Sequence, residues 1–186
     1  MGVLENRLKI INKLSVKLEY YKKSWSISVK KQIDASANDI WKIISLEGNL
    51  NYIHPFCKNN YSINWGGKES KDVLEYLNGL KFIREFKLWK PGTGYSLLIG
   101  TKKGKKSFVE WEITSENDKN YLCITVFPHY MRQYPKIFSY MPYIIKIKPH
   151  LTKYLESVIG GLEYFIKNKK EVPKNYFGHH EWFSKK

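Results

Sequence analysis

A chain of 186 residues has room for one domain with a full hydrophobic core, and two independent domains would be cramped. Apolar residues at 42%, aromatics at 16% and only seven prolines exclude a disordered chain. The net charge of +15 first suggests nucleic acid or an acidic membrane, but 29 of the 32 cations are lysines. Only Arg7, Arg84 and Arg132 carry the planar guanidinium that reads phosphates and bases, so nucleic acid is disfavoured and much of the charge is the lysine bias of an AT-rich coding sequence.

Residues 4–21 set Leu4, Leu8, Ile11, Leu14, Leu18 and Tyr21 three or four apart, which predicts a helical N-terminal extension over 1–24; Leu14 to Tyr20 also alternates, so a strand stays open there. From Trp25 to Ile33 the apolar Trp25, Ile27, Val29 and Ile33 alternate with polar residues, the period of a half-buried strand. Asp34 or Ser36 then caps a helix carrying Ile40, Trp41, Ile43 and Ile44. Further strands are expected over Asn59–Trp65, Val73–Leu77, Leu80–Trp89, Tyr95–Thr101, Ser107–Thr114 and Tyr121–Phe127. Asn78-Gly79 is a hairpin signal and the other breaks are short, so the last five of these, from Val73 to Phe127, form an antiparallel meander. Pro128, Pro135, Pro142 and Pro149 then interrupt the pattern. Leu151, Leu155, Val158, Ile159, Leu162 and Ile166 predict a closing helix of roughly 20 residues, with Gly160-Gly161 bending it or bringing it close to the sheet. A C-terminal tail, 171–186, follows.

Cys57 and Cys123 lack metal-ligand spacing and are expected as buried, reduced thiols. With no signal-peptide pattern and no run of about eighteen apolar residues, a soluble cytoplasmic protein is expected. None of the five histidines makes an HExxH or His-x-x-x-His pair. For His179-His180 a packed tail is favoured over a metal clip, and no cofactor or metal is expected. Gly100-Thr-Lys-Lys-Gly-Lys-Lys-Ser107 has three residues between its glycines where a phosphate loop needs four, and strands flank it.

The order of elements over 25–168, and specifically IDASANDIWKII, the YLNGLKFIREF hairpin, SFVEWEI and the terminal helix, resembles the START-like superfamily (SRPBCC), which holds polyketide cyclases, lipid-transfer START domains and birch-pollen-allergen-like proteins. The resemblance implies an α+β helix-grip fold: a curved antiparallel sheet of about six to seven strands around the long C-terminal helix, enclosing an apolar cavity over residues 25–170. It implies no particular reaction.

Arg84 shares a strand face with Leu80, Phe82, Phe86 and Leu88, a costly place for a cation unless acceptors satisfy it. Either it anchors a ligand carboxylate or phosphate, or it pairs with Glu75, Glu110 or Glu112 at the sheet edge. Tyr76, Phe82, Phe86, Tyr95, Trp111 and Phe127, with Leu155, Ile159 and Leu162, are candidate cavity walls or plain core. Pro128–Tyr154 contains no acidic residue, and Arg132, Lys136, Lys146 and Lys148 stand among Phe138, Tyr140 and other aromatics. This fits a lid or an anionic membrane surface, against the alternatives of a solvated lysine face or single-stranded RNA. The function expected is binding, transport or sensing of a hydrophobic or amphipathic small molecule such as a lipid or polyketide. The alternatives are a cyclase or dehydrase working through His54 or a tyrosine with Arg84, and a membrane-surface or protein-interaction module.

Overall fold

Alternation of apolar residues becomes a single seven-stranded antiparallel sheet in the computed structural model, which describes residues 19–23, 25–130 and 132–185. Most of the N-terminal stripe from Leu4 lies outside the described residues; 19–22 are helical. The strands are β1 (Ile27–Ile33), β2 (Cys57–Asn64), β3 (Lys71–Tyr76), β4 (Lys81–Lys90), β5 (Gly94–Gly100), β6 (Ser107–Glu116) and β7 (Lys119–Phe127). They lie in the order β1-β7-β6-β5-β4-β3-β2, so β3 to β7 form the expected meander, β2 extends it beyond β3, and β1 pairs with β7. Two short helices, α1 (Ala37–Ile44) and α2 (Leu50–Ile53), connect β1 to β2. Ser36 caps α1 by accepting a hydrogen bond from the Asp39 amide. The hairpin at Asn78-Gly79 closes as expected, with Gly79 at φ +86°, a conformation only glycine adopts without strain.

Residues 128–149 depart from expectation. The chain is helical from Lys136: α3 (Lys136–Pro142), a π-helical turn (Tyr143–Ile147) and α4 (Lys148–Asn168) follow without a break. Pro142 cannot donate an amide hydrogen bond, and the π turn directly after it adjusts the helix; Pro149 falls in the first turn of α4, where no donor is needed.

Leu151, Leu155, Val158, Ile159 and Leu162 give α4 its buried stripe against the inner face of the sheet. The close approach allowed by its two glycines is not to the sheet. A Cβ on Gly161 would run into the Ile53 carbonyl of α2, and one on Gly160 into the Phe177 ring of the tail. Gly161→Ala is therefore expected to cost about 1–3 kcal/mol by overpacking against backbone, despite alanine's better helix propensity. Gly160→Ala should cost less, because a partly exposed ring can turn aside. Denaturant unfolding of both variants tests this; equal stabilities would show slack between α2 and α4.

The tail packs into the body. Val172, His180, Phe183 and Ser184 are buried, and Phe183 stacks on Tyr76 with ring centroids 4.2 Å apart. On the outer face of the sheet, Leu98 and Phe108 form a second small cluster with Tyr21, Leu88 and Phe127.

Candidate functional site

Apolar side chains from both layers leave a cavity of about 340 Å³ between the sheet and α4. Leu74, Phe82, Leu97, Val109, Trp111, Ile124 and Val126 of the sheet face Leu151, Leu155 and Val158 of α4, with Leu50 beside them and Trp182 and Phe183 of the tail completing the wall. That volume lies at the small end of the range for small-molecule sites. The polar groups on the wall are few: His54, Tyr76, Arg84, Ser107, His129, Tyr130 and Tyr154.

Of the expected wall residues, Arg84, Tyr76, Phe82, Trp111 and Leu155 line the cavity. Phe86, Tyr95, Ile159 and Leu162 are buried behind it. Tyr95 stacks on Trp111 at 5.5 Å, and the Phe86 ring lies 5.4 Å from the Arg84 guanidinium carbon. Phe127 is on the other face, its ring 5.8 Å from Phe108, because Phe127 pairs with Phe108 while Val126 pairs with Val109 facing inward. Leu88 is also turned outward. The ladder shifts between Phe86 and Leu88, so Leu88 lies opposite Ser96 and Trp89 takes the inward place opposite Tyr95.

Arg84 pairs with none of the three glutamates considered. Its Nε donates to Asp72 Oδ1 at 2.8 Å, Nη2 donates to Asp72 Oδ2, and Nη2 also reaches Asn49 Oδ1 at 3.3 Å. Burial alone would lower its pKa, but the charge and hydrogen bonds of Asp72 outweigh burial and hold the guanidinium protonated. Arg84 and Asp72 are both almost fully buried, so the pair is close to neutral as a unit. The buried Tyr95 hydroxyl stands beside the same guanidinium and the Asn49 amide.

His54 and two tyrosines form the second polar group. His54 Nδ1 accepts the Phe56 amide N–H at 3.2 Å, which leaves the ring proton on Nε2 to donate to Tyr154 Oη at 2.8 Å. Tyr154 Oη lies 3.1 Å from Tyr76 Oη. Burial, then the Arg84 charge, lowers the His54 pKa to about 3, so the ring is neutral. Burial pushes both phenols well above their ordinary value. Three heteroatoms thus share two hydrogen bonds and three protons. One phenolic O–H is left at the cavity wall without an acceptor in the protein.

The cysteines stand unpaired. Burial pushes the Cys57 thiol up to about 12, whereas Cys123 is only half-buried, its Sγ 3.2 Å from Ser28 Oγ. Among the described residues no cluster of three His, Cys, Asp or Glu is disposed to hold a metal. His180 turns inward: Nδ1 accepts the Trp182 N–H, and Nε2 donates to the His150 carbonyl at 3.0 Å.

The cationic segment splits in two. The Arg132 guanidinium lies over the Tyr20 and Tyr21 rings at 5.6 and 4.7 Å, Lys136 Nζ lies 5.2 Å from the Trp25 ring, and Tyr140 packs beside Trp25. Phe138, Lys146 and Lys148 are exposed. No helix among the described residues is long and apolar enough to cross a membrane.

No protein-family model matches the sequence, and no curated protein matches it. Solved structures match its fold. The START superfamily protein from Mycobacterium smegmatis is similar over 78% of this chain and 99% of its own, with a TM-score of 0.59 and 16% identity. Ara h 8.0201 is similar over 77% and 99%, with a TM-score of 0.57 and 9% identity. DynU16, a protein of the dynemicin biosynthetic locus, gives a TM-score of 0.60 at 13% identity over 78% of this chain, which spans only 48% of DynU16. At such identities the likeness is one of fold. The chain has the helix-grip α+β fold of START-like proteins.

Proposed function

We propose that this protein binds a largely apolar, uncharged small molecule carrying at least one oxygen acceptor, such as the carbonyl or hydroxyl of a lipid or polyketide. The observation that carries the reading is the apolar cavity whose wall holds one uncommitted phenolic proton from the Tyr76–Tyr154 pair. That group is a donor, so the ligand supplies the acceptor. Asp72 already balances the Arg84 charge, so a carboxylate would lose its water without gaining a free cation, and the acid preference expected of an unpaired arginine is replaced by a preference for a neutral oxygen. Unpaired Cys57 and Cys123 support a reducing, cytoplasmic location.

Catalysis by a cyclase or dehydrase route would need a group in the cavity that exchanges protons near neutral pH. The directions at His54, His129, Tyr76 and Tyr154 run against it, since burial pushes each to keep its neutral form. Binding without turnover is the better supported reading.

Displacement of an apolar fluorescent dye by three compounds of one shape tests it: an aromatic ketone, the parent hydrocarbon and the corresponding carboxylate. The ketone is expected to bind about tenfold more tightly than the hydrocarbon, the worth of one hydrogen bond in a dry site, and more tightly than the carboxylate. Replacing both phenols, Tyr76→Phe with Tyr154→Phe, should erase most of the ketone's advantage while leaving the hydrocarbon unchanged, because either phenol alone would still present an O–H to the cavity. A carboxylate that binds best would return the role of charge partner to Arg84.

A further inference from the structure

The helical segment Lys136–Ile147 is amphipathic with its apolar face turned to water. Ser139, Tyr143 and Ile147, each four residues from the next, are its buried side. They are fastened there: Trp25 Nε1–H donates to Ser139 Oγ at 3.1 Å, Tyr143 O–H donates to the Ser26 carbonyl at 2.6 Å, and Trp25 stacks on Tyr143 at 5.3 Å. The opposite side presents Ile137 (79% exposed), Phe138 (73%), Met141 (59%) and Ile145 (66%). The fold buries a serine here and leaves four large apolar side chains outside. Single exposed hydrophobics are ordinary, but a contiguous set on one fastened helical face needs an occupant.

The charge around this face selects the occupant. Lys136, Lys146 and Lys148 flank it, no acidic residue occurs from Pro128 to Tyr154, and among the described residues none of these lysines, nor Arg132, has a carboxylate partner. A cleft of about 170 Å³ adjoins the segment, lined by Lys23, Arg132 and Lys136 among Tyr20, Tyr130 and Tyr134 and again free of acids. We infer that Lys136–Ile147 docks on the surface of an anionic lipid bilayer, with Ile137, Phe138, Met141 and Ile145 in the acyl boundary and the lysines at the headgroups. Twelve helical residues extend about 18 Å, enough to lie in the interface and too little to cross it. The same segment is flanked by Pro128–Tyr130 and by Leu151, both on the cavity wall, so docking would bring the cavity to the lipid surface. That last consequence rests on the ligand-binding reading; the docking itself does not.

Co-sedimentation of the full chain with unilamellar vesicles tests the docking. Vesicles of phosphatidylserine in phosphatidylcholine should retain the protein at low salt and release it at high salt, and phosphatidylcholine alone should retain it weakly. Ile137→Ser with Phe138→Ser removes two exposed apolar side chains and is expected to weaken retention about tenfold or more. Lys146→Glu with Lys148→Glu should weaken it by a similar factor. All four positions are exposed, so thermal melting should stay unchanged in both variants. The variant lacking both cavity phenols, Tyr76→Phe with Tyr154→Phe, should bind vesicles like the original protein, which separates this result from the fate of the cavity reading. Retention that is the same on neutral and anionic vesicles, or unaffected by both double substitutions, would overturn the inference. A dimer in sedimentation equilibrium that Phe138→Ser dissolves, without vesicle binding by the original protein, would give the face to a second copy of the chain.

Discussion

Asp72→Leu is expected to destabilise the protein by about 3–5 kcal/mol, because it leaves the Arg84 guanidinium buried with no carboxylate to balance its charge. Arg84→Met is expected to cost a similar amount by stranding Asp72 in the same dry site. The double replacement Asp72→Leu with Arg84→Met removes both charges together and should recover most of the loss, since a buried ion pair repays little more than its own desolvation. Four proteins unfolded in denaturant give the coupling directly. If each single variant lost less than about 1 kcal/mol, the pair would be behaving like a solvated surface salt bridge, and water would have to reach it through the cavity.

Arg84 also shows how much of the site was legible in the chain. Alternation in β4 placed it correctly on the inner face, because period two is set by the backbone itself. Its partner was not legible. Asp72 lies directly opposite Arg84 in the β3–β4 ladder, but the strand over Val73–Leu77 was expected to begin one residue later, which left the acid in the preceding turn. The shift after Phe86 was hidden for another reason: Leu88 and Trp89 are both apolar, so an extra residue in the ladder leaves the hydrophobic pattern looking intact. Phe127 misled similarly at the end of β7, where an outer cluster needs an aromatic as much as the inner wall does.

The start of the final helix was obscured by its prolines, which usually end helices and here sit at a π turn and a first turn. Seven strands, the capped first helix and the buried stripe of α4 could be read because each repeats a period imposed by local geometry. The hydrogen-bonded group of His54, Tyr76 and Tyr154 could not. Its members are 22 and 78 residues apart along the chain, and only the docking of α4 over the sheet brings them together.

That docking can be tested from the side of α4. Leu162 is fully buried and lies away from the cavity, so Leu162→Ala should cost about 2–5 kcal/mol, the transfer of its side chain plus the new void. Leu155 is equally hidden from solvent, but one side of it already faces open space, and atoms facing a void have fewer packing partners to lose. Leu155→Ala should therefore fall at the low end of that range, about 2 kcal/mol. It should also enlarge the ligand space, so that in dye displacement a bulkier ketone gains affinity relative to the small one, whereas Leu162→Ala should leave the ratio unchanged. Denaturant midpoints and paired titrations measure both effects on the same samples. If Leu155→Ala proved the more damaging substitution and left ligand preference untouched, the cavity would not lie against this turn of α4, and the wall built from Leu151, Leu155 and Val158 would have to be redrawn.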